Sequence, residues 1–473
     1  MNALPHLGLG LSSNAQTGDQ PRPYALLDAN PGLFDYVEYS APLDVAQARL
    51  EASLFPELER RRAQVPLVYH PVHLNLFGPE LESAERLALA AAHVTAVGSP
   101  WVSNDVGWWH HAGNALPGYL YLSPPLTAEG LAQCVHHVEH VRDAMPVPLL
   151  IENPVVTTAR GSMHVMDFMA KLSRTTGCPL LLDLGHLLSH QLTRGLGLLE
   201  GLDDFPWERV AQIHLAGGVV TGQVYADDHP QPIRDETWSL FDALRPRCTA
   251  LRAITYEGDG HPEPVARRVL ERLRSSISGP LSLSGEGQGE GQTKSPAVPL
   301  ASAWSLFDEV HTTPGPELDY RLAVLAERLD AEVPLARAAV TPTTQSLAPF
   351  AASRAFREWF ERGTRSIGDA FLNWALIESR RPELSGSDAL ISLELWARTT
   401  YARTKKPIDT VFPVDLTEAV HAVPALKRHL RGRGLLDGAG WAGLLQCARR
   451  APRVPWPVHL SLDGARVVIT PKS

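Results

Sequence analysis

The chain has 473 residues, 44% hydrophobic and 20% charged, a composition that excludes a fibrous or low-complexity protein and makes two domains the natural expectation. Its 43 basic against 52 acidic residues leave a formal net charge of −9, which argues against a general nucleic-acid binder. No run of about 18 apolar residues reads as a membrane span. No basic segment followed by a long apolar one reads as a secretion signal. Cys134, Cys178, Cys248 and Cys447 form no CxxC pair, so a thiolate metal site is not expected; they read as core filler, and a reducing, cytoplasmic setting fits.

In chain order, Gly8–Ser12 reads as a short strand, and Tyr36–Ser40 as a second that carries Glu38. A helix is expected over Leu43–Gln64, then a strand Pro66–His70 and an Ala/Leu-rich helix Leu81–Val97. Trp101–Asp105 is the fourth strand, followed by Trp108, Trp109, His110 and His111. Thr127 is the expected N-cap of a helix running to Met145. The strands Pro148–Asn153 and Pro179–Asp183 flank a helix over His164–Thr176. Val210–Ala216 and Ala253–Glu257 are the last two strands, with helices over Asp235–Leu244 and Pro262–Ser275.

Eight apolar strands within about 270 residues, with helices between most of them, is the signature of a (β/α)8 TIM-type barrel. The predicted barrel covers 1–278. Residues 279–299, rich in Gly, Ser and Gln, read as a flexible linker. A smaller, mostly helical domain is expected over 300–473, with helices at Glu317–Ala339, Ser353–Gly363, Ser366–Ser379, Ser387–Arg403 and Leu416–Arg433. Alternating residues either side of Asp463-Gly464 predict a hairpin over 458–470.

The strand ends carry the chemistry. Pro179–Asp183 is apolar until Asp183, where the strand is expected to break into a loop holding His186. His70, Asp105, Glu152, His214 and Glu257 end other strands, and Asp227 with His229 lies on the loop after the seventh. In a barrel these ends share one rim. Four imidazoles and five carboxylates exceed what one metal takes, so two or three bridged ions are expected. With no thiolate, zinc, manganese and iron are all acceptable. A single strand-end Asp or His is more often a structural, hydrogen-bonded residue; it is the set that points to metal. Asp105 is the weakest of the nine, with His110 or His111 as possible replacements, and His136, His137 and His140 read as packing residues on a helix.

The GLGL opening, Glu38, the His70 strand, Ile151-Glu-Asn153, Leu181-Leu-Asp183, Gln212-Ile-His-Leu-Ala-Gly217, Asp227-x-His229, Trp238 and Glu257 resemble the multinuclear non-haem iron-dependent oxidases of the methanobactin-biosynthesis type, over about residues 8 to 275. The resemblance implies two or three irons in mixed Fe(II) and Fe(III) states. It implies dioxygen as co-substrate, modification of a residue, often Cys, in a ribosomally made precursor peptide, and a peptide-binding partner protein. Glu38 and Asn153 are the further catalytic candidates, Glu38 by orienting a ligand His and Asn153 as a donor to bound oxygen or substrate. The chain departs from the family pattern at Ser103-Asn-Asp105, where a His is usual, and at Gly185-His186, where two Asn are common. The same ligand order also resembles the trizinc apurinic endonucleases of the endonuclease-four type. The C-terminal domain is a candidate peptide-recognition module that replaces the partner, or else a stabilising or oligomerisation domain.

Overall fold

The structure is a computed structural model. It describes residues 4–13, 20–40, 60–277 and 301–377, apart from 72, 113, 117–120, 159, 222, 223, 334, 335, 338, 339, 342 and 363–365, together with three strands at 408–411, 458–463 and 466–471. Most of the expected helix Leu43–Gln64, the linker 279–299 and the expected helices Ser387–Arg403 and Leu416–Arg433 lie outside the described residues.

Eight parallel strands close into a barrel: β1 (Gly8–Ser13), β2 (Tyr36–Tyr39), β3 (Leu67–Tyr69), β4 (Val102–Asp105), β5 (Leu149–Glu152), β6 (Leu180–Asp183), β7 (Val210–Ala216) and β8 (Ala253–Glu257), each hydrogen-bonded to the next and β8 to β1. Around them run α1 (Pro23–Ala29), α2 (Ala84–Val97), α3 (Ala128–Ala144), α4 (Val165–Thr176), α5 (Leu184–Arg194), α6 (Asp235–Leu244) and α7 (Glu263–Ile277). The expected TIM-type barrel is the observed fold.

Local chemistry sets the helix ends. Ser83 and Thr127 cap α2 and α3 by accepting the Arg86 and Gly130 amides at 3.3 and 3.1 Å. α2 ends at Gly98 in the left-handed conformation (φ 68°), which costs glycine nothing. α7 turns Ala266, Leu270 and Leu273 inward and its Arg and Glu outward.

The floor of the barrel is an apolar layer of Tyr36, Val68, Trp101, Leu150, Leu181, Ala211 and Ala253. Side chains two apart on a strand share a face. Stepping two residues from this floor therefore lands on Glu38, His70, Glu152 and Asp183, and four residues on lands on Asp105 and Glu257. The floor residues fix which polar side chains point inward. The register then sets Asp105 beside Glu152 and Asp183 beside His214.

By packing, the chain divides into two units: Met1–Trp109 with Tyr121–Leu306, and His110–Leu120 with Phe307–Ser473. The segment after β4 belongs by packing to the second unit, which the sequence did not signal. There His110–His111 and Asn114–Ala115 pair as a small hairpin, Asn114 Nδ2 donates to the Trp359 carbonyl at 2.7 Å, and the His111 ring lies 6.2 Å from that of Phe360. Such long-range contacts leave no periodic trace in sequence.

The second unit packs the aromatic residues Phe307, Phe350, Phe356, Phe360, Phe371 and Trp374, with Phe307 and Phe360 stacked at 5.0 Å. Its helices at Pro316–Glu332, Arg354–Arg362 and Ile367–Ile377 follow the expected ones. The expected hairpin is present as Val458–Asp463 against Arg466–Pro471, and Ile408–Val411 adds a third strand beside the latter. Cys134, Cys178 and Cys248 are free and buried, as expected of core filler. Among the described residues no helix is long and apolar enough to cross a membrane.

Gly10 admits the floor. A Cβ there would sit 2.3 Å from the Tyr36 ring, whose hydroxyl is hydrogen-bonded to Thr255 at 2.6 Å. Gly10→Ala is expected to destabilise the protein by about 1–3 kcal/mol through overpacking, read as a lower denaturant midpoint with an unchanged slope.

Candidate metal centre

β6 ends in Asp183, and no loop follows. The Asp183 carboxylate is itself the N-cap of α5, its Oδ1 accepting the His186 amide at 2.6 Å. His186 therefore stands in the first turn of a helix, not in the loop expected from the sequence. Asp227 and His229 are delivered by an antiparallel hairpin after β7, Gly218–Thr221 with Val224–Asp227.

The rim residues meet. Three groups each present donor atoms within 4.8 Å of one another: Glu38, His214 and Glu257; His70, Asp105 and Glu152; and Glu152, Asp183 and His186. Glu152 belongs to two of them. His70 Nε2 lies 3.8 Å from Asp105 and 3.6 Å from Glu152, and His214 Nδ1 lies 3.5 Å from Glu152 and 3.4 Å from Glu257. His186 Nε2 reaches Asp183 at 3.9 Å and Asp227 at 3.5 Å. His229 Nε2 reaches Asp227 at 3.1 Å and Glu257 at 3.9 Å. All nine candidate ligands thus form one unbroken network. His110 and His111, weighed as substitutes for Asp105, sit in the hairpin of the second unit instead. His137 and His140 bind the Asn75 and Glu82 carbonyls at 3.2 and 2.9 Å, in keeping with packing roles.

A second set of residues aims the imidazoles. Glu38 holds His214 Nε2 at 2.9 Å, leaving Nδ1 to face Glu152 and Glu257. The other Glu38 oxygen is bound by Gln212 Nε2, and Gln212 Oε1 accepts from Trp101 Nε1 at 2.8 Å. Glu38 therefore engages one ring nitrogen of His214. Ser103 Oγ lies 2.9 Å from His70 Nδ1, so His70 presents Nε2. Asp259 binds His229 Nδ1 at 3.2 Å, and the Asn153 carbonyl lies 2.8 Å from His186 Nδ1. Such partners fix ring orientation and tautomer at metal sites. Asn153 is placed differently from its expected role. Its carboxamide donates to the Asp183 carbonyl and accepts the Asp183 amide, both at 2.9 Å, so the side chain ties β5 to β6 rather than reaching for oxygen or substrate.

Sequence reading missed Ser103, Asp259, Tyr121 and Tyr225. Ser103 and Asp259 each lie two residues from a candidate ligand on the same chain segment, and that spacing was the available signal.

The electrostatics are those of crowded acids. Burial pushes Asp105 up to about 7 and Asp183 up to about 6, and holds Glu152 well above its usual range, with neighbouring carboxylates adding to the effect on each. Burial favours neutral imidazoles, and it takes His70 down to about 4. At His214 and His229 burial is outweighed by Glu38, Glu257 and Asp227, which raise both above the ordinary value. Glu257 is buried too, but His214 and His229 bring it down to about 2.

The donor set fits divalent cations. Glu152 Oε2, Asp183 Oδ2, Asp227 Oδ1 and the Tyr225 hydroxyl are buried without a hydrogen-bond partner. Buried polar atoms are rarely left so, and this cluster of them lies among oxygen and nitrogen donors that a hard or borderline cation takes.

A sequence model described as the RiPP precursor modification enzyme MbnB/TglH/ChrH matches residues 24–275, more than half of the chain. The chain belongs to this family. It is the family its motifs resemble, and MbnB/TglH/ChrH membership covers the barrel and its rim. Among curated relatives, a UPF0276 protein of Streptomyces avermitilis is 30% identical over 287 residues, covering 59% of this chain and 56% of the relative. The chain thus spans little more than half the length of that relative. Another UPF0276 protein, from Caulobacter vibrioides, is 30% identical over 268 residues, 55% of this chain and 91% of the relative. Among solved structures, a xylose isomerase domain containing protein from Salmonella typhimurium is similar at 13% identity and a TM-score of 0.41, covering 58% of this chain and 98% of that one.

Asp105 and Asp183 keep a proton in the folded, metal-free protein between about pH 4 and the values of about 7 and 6 given above, where the unfolded chain has released it. Metal-free stability therefore falls as pH rises through that window. Metal binding needs those protons gone. Added divalent metal is expected to raise the melting temperature more at about pH 7.5 than at about pH 5.5, with protons released to the buffer, as calorimetry in buffers of different ionisation enthalpy would record.

Proposed function

We propose that this member of the MbnB/TglH/ChrH family is a multinuclear non-haem iron-dependent oxidase that uses dioxygen to modify a residue, often Cys, of a ribosomally made precursor peptide. The observation that supports this reading is the network in which nine donors share Glu152 between two groups. A shared carboxylate offsets the repulsion between closely spaced cations. The residues that would hold two or three irons are His70, Asp105, Glu152, Asp183, His186, His214, Asp227, His229 and Glu257. Zinc and manganese suit the same donors. Bound iron supplies one-electron chemistry with dioxygen and acidity toward a substrate thiol or amide.

The chain's own residues hold that chemistry in place. Glu38, Ser103 and Asp259 hold the backs of His214, His70 and His229, so each ring meets the centre through its other nitrogen. Asn153 keeps the ends of β5 and β6 in register beneath Glu152 and Asp183. The apolar floor excludes water from below.

The C-terminal strands offer a place for a peptide. Val458–Asp463 is an edge of the three-stranded sheet among the described residues, and an extended leader could add to it by main-chain hydrogen bonds. In this reading the second unit takes the part of a separate partner protein.

Protein purified without oxygen is expected to carry two or three irons per chain. With a co-expressed neighbouring precursor peptide it is expected to consume dioxygen and change the peptide's mass. Zinc alone, with cleavage of abasic DNA, would overturn the oxidase reading in favour of an endonuclease-four-like hydrolase. Glu38→Gln is expected to retain the fold and to bind metal roughly 10–100-fold more weakly, measured by competition with a chelator.

A further inference from the structure

Tyr121 lies outside the ligand set and outside the MbnB/TglH/ChrH motifs that the sequence displays. We infer that it is a positioning residue of the metal centre, one that fixes the Asp105 carboxylate and draws negative charge from it; the inference rests on the metal-centre reading above.

The hydroxyl bonds to both Val155 and Asp105. Its oxygen accepts the Val155 amide at 2.7 Å, and its proton is donated to Asp105 Oδ1 at 3.3 Å. Because the amide can only donate, the hydroxyl proton is left for the carboxylate. Oδ1 is thereby engaged, and it also lies 3.5 Å from His186 Nδ1, whereas Oδ2 is the oxygen turned to His70 Nε2, at 3.8 Å. That is the oxygen a cation shared with His70 and Glu152 would need.

The ring is held as firmly as the hydroxyl. It stacks on Trp109 with centroids 4.2 Å apart and planes 24° from parallel. On another side it lies against the backbone of Gly107, where a Cβ would come within 2.3 Å of the ring. A bare Cα at position 107 is what lets the phenol approach. Val155 follows the β5 residue Glu152 by three positions, and Asp105 is the register partner of Glu152. One hydroxyl therefore links the outgoing chains of two adjacent strands, each of which supplies a candidate ligand to the same group.

A hydrogen bond to a carboxylate ligand does two separable things. It restricts the carboxylate's rotation, and it lowers the electron density offered to the metal. Tyr121→Phe removes both while keeping the ring, its stacking and its volume.

Full-length, metal-free protein would be titrated with Co(II) against a competing chelator, recording the visible d–d bands, for the wild type, Tyr121→Phe and Asp105→Asn. In Tyr121→Phe one binding step is expected to weaken about tenfold. The bands altered at full loading should be the same ones that Asp105→Asn alters, and the other steps should match the wild type, while loss of the acceptor for the Val155 amide lowers the melting temperature of the metal-free protein modestly. Unchanged binding and bands in Tyr121→Phe would overturn the inference. So would equal weakening of every step, the mark of a purely structural role. If the wild type takes up no cobalt, the metal centre itself is overturned and this inference with it, a result read from the wild type alone. Cobalt uptake with no iron in the native protein would overturn only the iron reading and leave the Tyr121 comparison intact.

Discussion

Like-charge crowding at the mouth of the barrel is the constraint around which this structure is built. Asp105, Glu152, Asp183 and Glu257 are buried there, and the half-buried Asp227 reaches the same network through His186 and His229. Two unit charges about 4 Å apart repel by roughly 4 kcal/mol even at an effective dielectric constant of 20. Several such pairs would consume the whole stability of an ordinary domain. Protons relieve part of this, as the raised Asp105 and Asp183 show, and the flanking imbalance between acids and imidazoles leaves room for cations to relieve the rest.

The convergence follows from modest means. A strand repeats its faces every two residues, so the apolar floor of Tyr36, Val68, Leu150 and Leu181 dictates that Glu38, His70, Glu152 and Asp183 point inward above it. Parallel closure then brings every strand's C-terminal end to one rim. The outer polar layer, Glu38 with Gln212 below His214 and Ser103 and Asp259 behind His70 and His229, turns a set of nearby side chains into a set of aimed ones.

Much of this was legible in the sequence, because a buried strand that ends in an acid or a histidine violates its own apolar pattern and stands out. All eight strands were visible that way, as were His70, Asp105, Glu152, Asp183, His214 and Glu257, whereas His186, Asp227 and His229 were read from the Asp-x-x-His and Asp-x-His spacings on loops. What escaped notice has a common physical cause: it depends on partners distant along the chain. The Asp183 cap looks like any strand-end acid until the His186 amide is placed beneath it. Asn153 reads as a free donor until its carboxamide is seen pairing with the backbone of β6. Tyr121 carries no spacing relation to Asp105 that a periodic pattern could betray. The membership of His110–Leu120 in the second unit left no mark in the sequence, because Gly and Ser content marks where a chain is extended, not which segments pack together.

That division bears on how the two units are joined. The second unit is not an appendage joined to the barrel at one point, since His110–Leu120 leaves the barrel's chain to pair with it and Tyr121 resumes the barrel. Three covalent crossings join the two units rather than one. Cutting after Leu306 would leave the excursion behind without Trp359 and Phe360, its neighbours in the intact chain. A barrel separated from the helical portion would keep the His110–Leu120 excursion without its packing partners, and a helical portion moved to another protein would arrive without one of its own pieces.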